Sequence, residues 1–545
     1  MSKVAHYLQQ HLLGEVIVTP DARKYFSVDN SVFTLTPTAV VYPRGENDIR
    51  KTARFSWQLA ERGRVLPITA RGMGTDQSGA AISNGLLIIF PAHMNRILEL
   101  DGKTGTVIVE PGINYGKLQQ TLQTHGRFLP PFPASLEYST VGGAIANNAS
   151  GEKSVKYGST RNYVKQLRVV LANGEVIETK RLSKRELNRK LGLTTFEGEI
   201  YRSLDTLLEE NMRIIKDFKL NVTKNSAGYD IFDIKRKDGS FDLTPLLVGS
   251  QGTLGIVTEA TLSTEPYNPE TTLVSALFDD LQVADHVLQE IRKMPEGPSA
   301  VELVDENLLN FTYEQNPSRL GNDIIKPPYP KLMAFIELDN ANIRTQKRLV
   351  KKVTKILEHY QIASLVETEE GRKEKLRKIR DASTNMITHA EGSARALPLI
   401  EDGVVPIEKF GDYLSALYVM FERYKLRPAV WGHGGDGNIH IQTLLDLSQV
   451  GDRQKAFKLM DEYYDLVISL GGTTTGEHGD GRLRAPYLKK LYGEDIYDLF
   501  EKVKQIFDPY GTLNPGVKTG VTTEDIKPLM RYDYSVGRAD HLPRS

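Results

Sequence analysis

The apolar positions change rhythm along the chain, and the changes mark its elements. Ala39-Val-Val-Tyr42 is an unbroken apolar run, as in a buried strand. Between Glu46 and Arg62, residues Ile49, Ala53, Trp57 and Ala60 fall on one helical stripe. Val65-Leu-Pro-Ile-Thr69 predicts a second buried strand, so residues 38–70 read strand, helix, strand. Short strands are expected at 85–90, 106–110 and 167–171, the last closed by a hairpin-like Asn173-Gly174. Residues 178–245 read as a long polar insertion with helical patterning near 198–219. Near 266 the texture changes: Pro266 and Pro269 punctuate a linker. Beyond it, amphipathic helices at about 344–360, 372–388 and 452–470 alternate with strands such as Leu332–Leu338. The pattern predicts an α+β second domain, followed by a polar, loosely held tail after 520.

Composition narrows the chemistry. The chain has 545 residues, enough for two to four domains. Lys plus Arg equals Asp plus Glu, 69 each, so no broad basic field invites nucleic acid. No cysteine is present, which excludes disulfides, a thiolate nucleophile, a cysteinyl-linked cofactor and a cysteine-held iron–sulfur cluster on these residues. The N-terminal MSKVAHYLQQHL lacks the pattern of a secretory signal, and the longest apolar runs, such as 86–90, are strand-sized. The expected location is the cytoplasm, either free or peripheral to the inner face of a membrane.

Three glycine-rich segments stand out: Arg71-Gly-Met-Gly-Thr-Asp-Gln-Ser-Gly79, Thr140–Gly151 and Val248–Val257. Glycine allows close backbone approach, and free N–H groups in such loops form anion-binding nests. One such loop is commonly a surface turn. Three in one domain suggest a large ligand with several polar parts, such as a dinucleotide, whose identity composition leaves open.

WGHGGDGNIH, residues 431–440, mounts His433 and His440 on glycine. GEHGDG, residues 476–481, adds Glu477 and His478. Two imidazoles and a carboxylate would form a His₂Glu metal site with open positions, leaving His478 for proton transfer. The alternative is a pair of glycine-framed turns with hydrogen-bonded histidines. Leu376, Ile379, Ser383 and Ile387 form an inward helical stripe, and Arg380 lies beside it. A buried guanidinium needs an anionic partner: a bound carboxylate or a local acid.

RGMGTDQSG, PPFPASLEYSTVGGAIANNASG, KYGSTRNYV and VGSQGTLGIVTEATL together resemble the FAD-binding domain of the vanillyl-alcohol-oxidase (PCMH) type. WGHGGDGNIH, GEHGDGR and IFDPYGTLNPGVK resemble the C-terminal half of FAD-linked D-2-hydroxyacid dehydrogenases, a group that includes D-lactate, D-2-hydroxyglutarate and glycolate dehydrogenases. The resemblance covers residues 20–520. It implies an FAD-binding domain over 1–265, a substrate (cap) domain over 266–490, a segment 491–520 returning to the FAD domain, and the tail 521–545.

The resemblance also implies roles. Arg71, Gly72, Met73, Gly74, Thr75, Ser78 and Gly79 would hold the FAD pyrophosphate. Pro133, Ser139, Thr140, Gly143, Ala146, Asn147, Ser150, Gly151 and Tyr157 would lie along the flavin and ribityl chain. Gly252, Gly255, Ile256 and Val257 would close the other side, and Asn514 would return to the flavin. His433, His440 and Glu477 would hold a divalent metal, usually zinc, with His478 as base and Arg380 on the substrate carboxylate. The flavin loop lacks the histidine or cysteine of covalent members, so the FAD is expected to be dissociable. Met73, Asn162 and Gln251 depart from the usual pattern.

Electrons are expected to leave for a quinone, a cytochrome, an electron-transferring flavoprotein or a separate iron–sulfur subunit. A homodimer is compatible with the sequence. Three rival functions remain at this level: an oxidase of another alcohol with no essential metal, a zinc hydrolase with structural glycine loops, and an electron-transfer subunit without turnover.

Overall fold

The computed structural model describes residues 3–320, 325–383, 390–532 and 534. The expected strand–helix–strand unit forms around a four-stranded sheet, ordered Glu15–Ile17, Ala39–Tyr42, Leu86–Ile89, Ile68–Arg71. The last three strands are parallel, and helix Glu46–Ala60 buries Ile49 and Ala53 against them. The second strand of this unit begins at Ile68, three residues later than the apolar run suggested. Pro67 precedes it and has no N–H to give a ladder. A five-stranded antiparallel sheet follows, ordered Ile97–Asp101, Thr106–Val109, Ile256–Ser263, Val164–Val170, Val176–Thr179.

The second half is built on a six-stranded antiparallel sheet. Its order is Ala363–Glu367, Thr272–Phe278, Leu332–Leu338, Ala300–Asp305, Ala429–His433, Asn438–Gln442. Side chains alternate between its faces. Val301, Leu303, Val430, Ile439 and Ile441 enter one core with helices Leu281–Arg292, Ile343–His359, Phe410–Arg423 and Val450–Ser469. The opposite face therefore carries Glu302, Trp431, His433, His440 and Gln442, beside helix Glu370–Arg380. The remainder of the helix expected over 372–388, including Ile387, lies outside the described residues from 384 to 389.

The polar stretch 178–245 contributes to a core: Ile200, Tyr201, Leu204, Tyr229 and Phe241 share one with Leu488, Ile496, Phe500 and Val503 of helix Leu488–Phe507. Its helical signal resolves into Phe196–Glu210 and Met212–Asp217, broken at Asn211 (φ −110°, ψ 14°). The start of the tail is also anchored. The Arg531 N–H donates to Val32 O at 2.8 Å, Thr34 N–H to Leu529 O at 2.8 Å, and Met530 is buried. Residues 533 and 535–545 lie outside the described residues.

Candidate active site

The hairpin Ala429–His433/Asn438–Gln442 pairs His433 with Asn438 and Trp431 with His440. Asn438 and His440 are two positions apart on their strand, so both histidines project from the same face. Gly437, in the left-handed region (φ 66°), closes the turn, and a Cβ there would meet Val405 O at 2.3 Å. The glycines thus let the turn bend and press against its neighbours.

The histidine rings are held from behind. His433 Nδ1 lies 2.7 Å from Glu302 Oε1, and His440 Nδ1 lies 3.2 Å from Glu401 Oε2. With Nδ1 donating, each ring turns Nε2 toward Glu477 Oε1, at 2.8 Å from His433 and 3.3 Å from His440. The two Nε2 atoms are 3.4 Å apart. His478 stacks on His440 with ring centroids 4.9 Å apart, and its Nδ1 is 2.8 Å from Glu401 Oε2. One carboxylate therefore orients both His440 and His478. Arg484, fully buried, forms an ion pair with Glu401.

Electrostatics sharpen this picture. Burial works against a charge on His433, but Glu302 and Glu477 outweigh it and push its pKa up to about 9. Burial drives His440 down to about 4, despite the bond to Glu477. Burial opposes ionisation of Glu302 too, yet His433 and Arg380 hold it down at about 2. Burial likewise penalises charged Glu477, while Lys224 and His433 keep it well below the usual carboxylate range. The donor set fits a divalent cation: two Nε2 atoms and a carboxylate oxygen converge, and both imidazoles are fixed by carboxylates from behind. A cation would displace the proton that holds His433 between Glu302 and Glu477.

These groups share one cavity with the glycine loops. Arg71, Gly72, Met73, Gly74 and Thr75 line it, as do Pro133, Ser139, Thr140, Gly143, Ala146 and Asn147. Gly252, Gly255, Ile256, Val257, Arg380, His433, His440, Glu477 and His478 complete the predicted set found there. Among the described residues, the amides of Gly72, Met73, Gly74 and Thr75 have no protein acceptor, and the buried Arg71 Nε has no partner. Such free donors fit an extended anionic ligand like the FAD pyrophosphate.

Six expected cofactor residues lie outside this lining. Ser78 donates to Asp76 at 2.9 Å, and Gly79 packs on Phe33. Ser150 Oγ and the Gly151 N–H both donate to Glu477 Oε2, at 2.6 and 2.5 Å. Tyr157 OH donates to Asp339 at 2.8 Å, tying the two halves together. Asn514 Nδ2 donates to Ala80 O and Gln251 O, and its Oδ1 accepts from Thr69.

Arg380 has local acids as partners: Glu302 at 2.7 Å, Asp381 at 2.9 Å and Glu152 at 3.6 Å. Glu302, Glu401, Lys224 and Arg484 went unread in the sequence. Glu302 did leave a trace, as an acid amid the apolar Ala300-Val-Glu-Leu-Val304.

Fold and site together define a flavoprotein scaffold capped by a metal-competent sheet face. Residues 37–180 match the FAD binding domain family, and 268–517 match the C-terminal domain of FAD linked oxidases. A glycolate oxidase subunit of Bacillus subtilis (strain 168) is 31% identical over 484 residues, 88% of each chain. The chain belongs to the FAD-linked oxidoreductase family that these matches define. The D-2-hydroxyglutarate dehydrogenase of Escherichia coli (strain K12) is 31% identical over 521 residues, 93% of this chain and 50% of its own. The chain thus spans about half the length of such relatives. A D-lactate dehydrogenase of Archaeoglobus fulgidus is 28% identical over 483 residues, covering 88% of this chain and 90% of that one. In fold, p-cresol methylhydroxylase is similar at TM-score 0.68 and 15% identity, over 96% of this chain and 97% of that one. No described helix is long and apolar enough to cross a membrane.

Proposed function

We propose that the chain is an FAD-dependent dehydrogenase that oxidises a D-2-hydroxy acid, of the D-lactate or D-2-hydroxyglutarate class, to the 2-oxo acid. The observation that carries this reading is the convergence of His433 Nε2, His440 Nε2 and Glu477 Oε1 beside His478, in the cavity the glycine loops line. Those loops would hold FAD non-covalently, and it would supply a hydride acceptor. His433, His440 and Glu477 would hold a divalent cation, zinc by their donor set, and it would supply Lewis acidity to the substrate.

The remaining work belongs to the side chains. His478, with Nδ1 donating to Glu401, presents Nε2 as acceptor for the hydroxyl proton. Among the described residues, Arg380 gives three of its five N–H groups to Glu302 and Asp381, which leaves two to offer the substrate carboxylate. Its bonds to Glu302 tie it to His433, so carboxylate site and ligand set hold a fixed spacing. Electrons then pass to a quinone, a cytochrome, an electron-transferring flavoprotein or a separate iron–sulfur subunit.

Anaerobic mixing with D-lactate or D-2-hydroxyglutarate tests this. The flavin of the purified protein bleaches, and chelation of the metal stops bleaching. Full bleaching of chelated protein would remove the metal from the reading, and no bleaching with either acid would favour an oxidase of another alcohol.

A further inference from the structure

The stretch 178–245 reaches the site itself. Its segment 223–228 is laced along the loop that carries Glu477 and His478. Ser226 N–H donates to Thr475 O at 3.0 Å, Ser226 Oγ to Gly476 O at 2.8 Å, and Gly228 N–H to Asp480 at 2.8 Å. Thr473 Oγ1 donates to Asn225 at 2.7 Å, and Thr223 Oγ1 to Asp436 O at 2.9 Å, in the turn between the two histidines.

From the middle of this lacing, Lys224 points inward, with its side chain 2% exposed. Its Nζ lies 3.2 Å from Glu477 Oε2, 3.0 Å from Ser150 Oγ and 3.4 Å from Ser154 Oγ, three partners for three N–H groups. Among the described residues, Glu477 is the one carboxylate within ion-pair distance of it. Glu477 Oε2 is thereby saturated by Lys224, Ser150 and the Gly151 amide, while Oε1 is left to His433 and His440.

We infer that Lys224 is a positioning residue that clamps Glu477 so that a single carboxylate oxygen joins the two imidazoles as a metal ligand. Without it, the buried carboxylate keeps Ser150 and the Gly151 amide but loses the cation that fixes its charge and orientation. The clamp rests on the metal reading proposed above.

The test titrates zinc into chelator-stripped, FAD-loaded protein in competition with a chromogenic chelator. Lys224→Met is expected to bind zinc about 10–100-fold more weakly, the usual effect of losing a residue that orients a ligand, with FAD content unchanged. Lys224→Arg is expected to recover most of the loss. Wild-type zinc affinity in Lys224→Met would overturn the clamp. So would an equal loss in Lys224→Arg at an unchanged melting temperature, which would assign the effect to packing. Should Lys224→Met fail to fold, Lys224→Gln carries the same comparison. A wild-type chain that binds no zinc would instead sink the metal reading, and the clamp with it.

Discussion

At the scale of residues, three carboxylates of the site each have a cationic partner: Glu302 has the half-buried Arg380, Glu401 the buried Arg484 and Glu477 the buried Lys224. Buried charges persist only when paired and hydrogen-bonded. Glu401 carries the heaviest load, since it hydrogen-bonds both His440 and His478, the proposed metal ligand and the proposed base. Glu401→Gln, which keeps shape and loses charge, is expected to slow anaerobic flavin reduction about 10–100-fold while FAD stays bound. A wild-type rate would remove Glu401 from the account. His433, His440, Glu477 and His478 were legible because glycine frames them in two short motifs. Glu302 and Glu401 were not, because they meet their histidines across 131 and 39 residues of chain, through tertiary contacts that no local pattern encodes. Arg380 was legible as an inward arginine in need of an anion, while its local acids were not.

At the scale of elements, the hairpin is held by the strand beside it. Asp305 ends that strand, caps helix Glu306–Gln315 through the Leu308 N–H, and accepts from Val430 N–H at 3.1 Å and Tyr418 OH at 3.0 Å. Burial raises its pKa from 3.8 to about 7, with its hydrogen bonds only partly offsetting the shift. The sign follows from linkage: the folded chain holds a proton that the unfolded chain has released. This contribution to stability is fully present below about 3.8 and is lost as pH rises through about 7. Asp305→Asn removes the titration. The melting temperature of wild type relative to Asp305→Asn is therefore expected to fall between pH 5 and pH 8, and a constant difference would contradict the shift. Long periodic elements were readable at this scale, as with Leu332–Leu338 and Ile343–His359. The helical signal near 198–219 concealed a break, because periodicity registers an apolar face and overlooks a single residue such as Asn211 that leaves helical geometry.

At the scale of the whole molecule, distant parts of the chain meet at the cavity. Asn514 joins three of them, bonding to Thr69, Ala80 and Gln251, while its N–H donates to Ile68 O. Asn514→Ala leaves buried groups on three segments without partners. It is expected to cost about 2–4 kcal/mol of stability and to weaken FAD retention, read by thermal unfolding and flavin release. An unchanged melting temperature would show that the segments hold together without it. Tyr157 with Asp339 and Lys153 with Glu337 join the two halves. The sequence resemblance identified the flavin fold and the returning C-terminal segment. It read 178–245 as a polar insertion and did not show what that stretch contributes, because a polar average hides the apolar residues that enter the core and the lysine that enters the site.

The central claim is that this cavity takes hydride from a D-2-hydroxy acid with His478 as base. Rapid-mixing anaerobic flavin reduction, run against matched D- and L-2-hydroxy acids with wild type and His478→Ala, tests it most directly. The account predicts bleaching by a D-enantiomer in preference to its L-form, and a loss of about 10²–10⁴-fold in His478→Ala with FAD still bound. Absence of bleaching with every acid tried, or wild-type bleaching in His478→Ala, would contradict it.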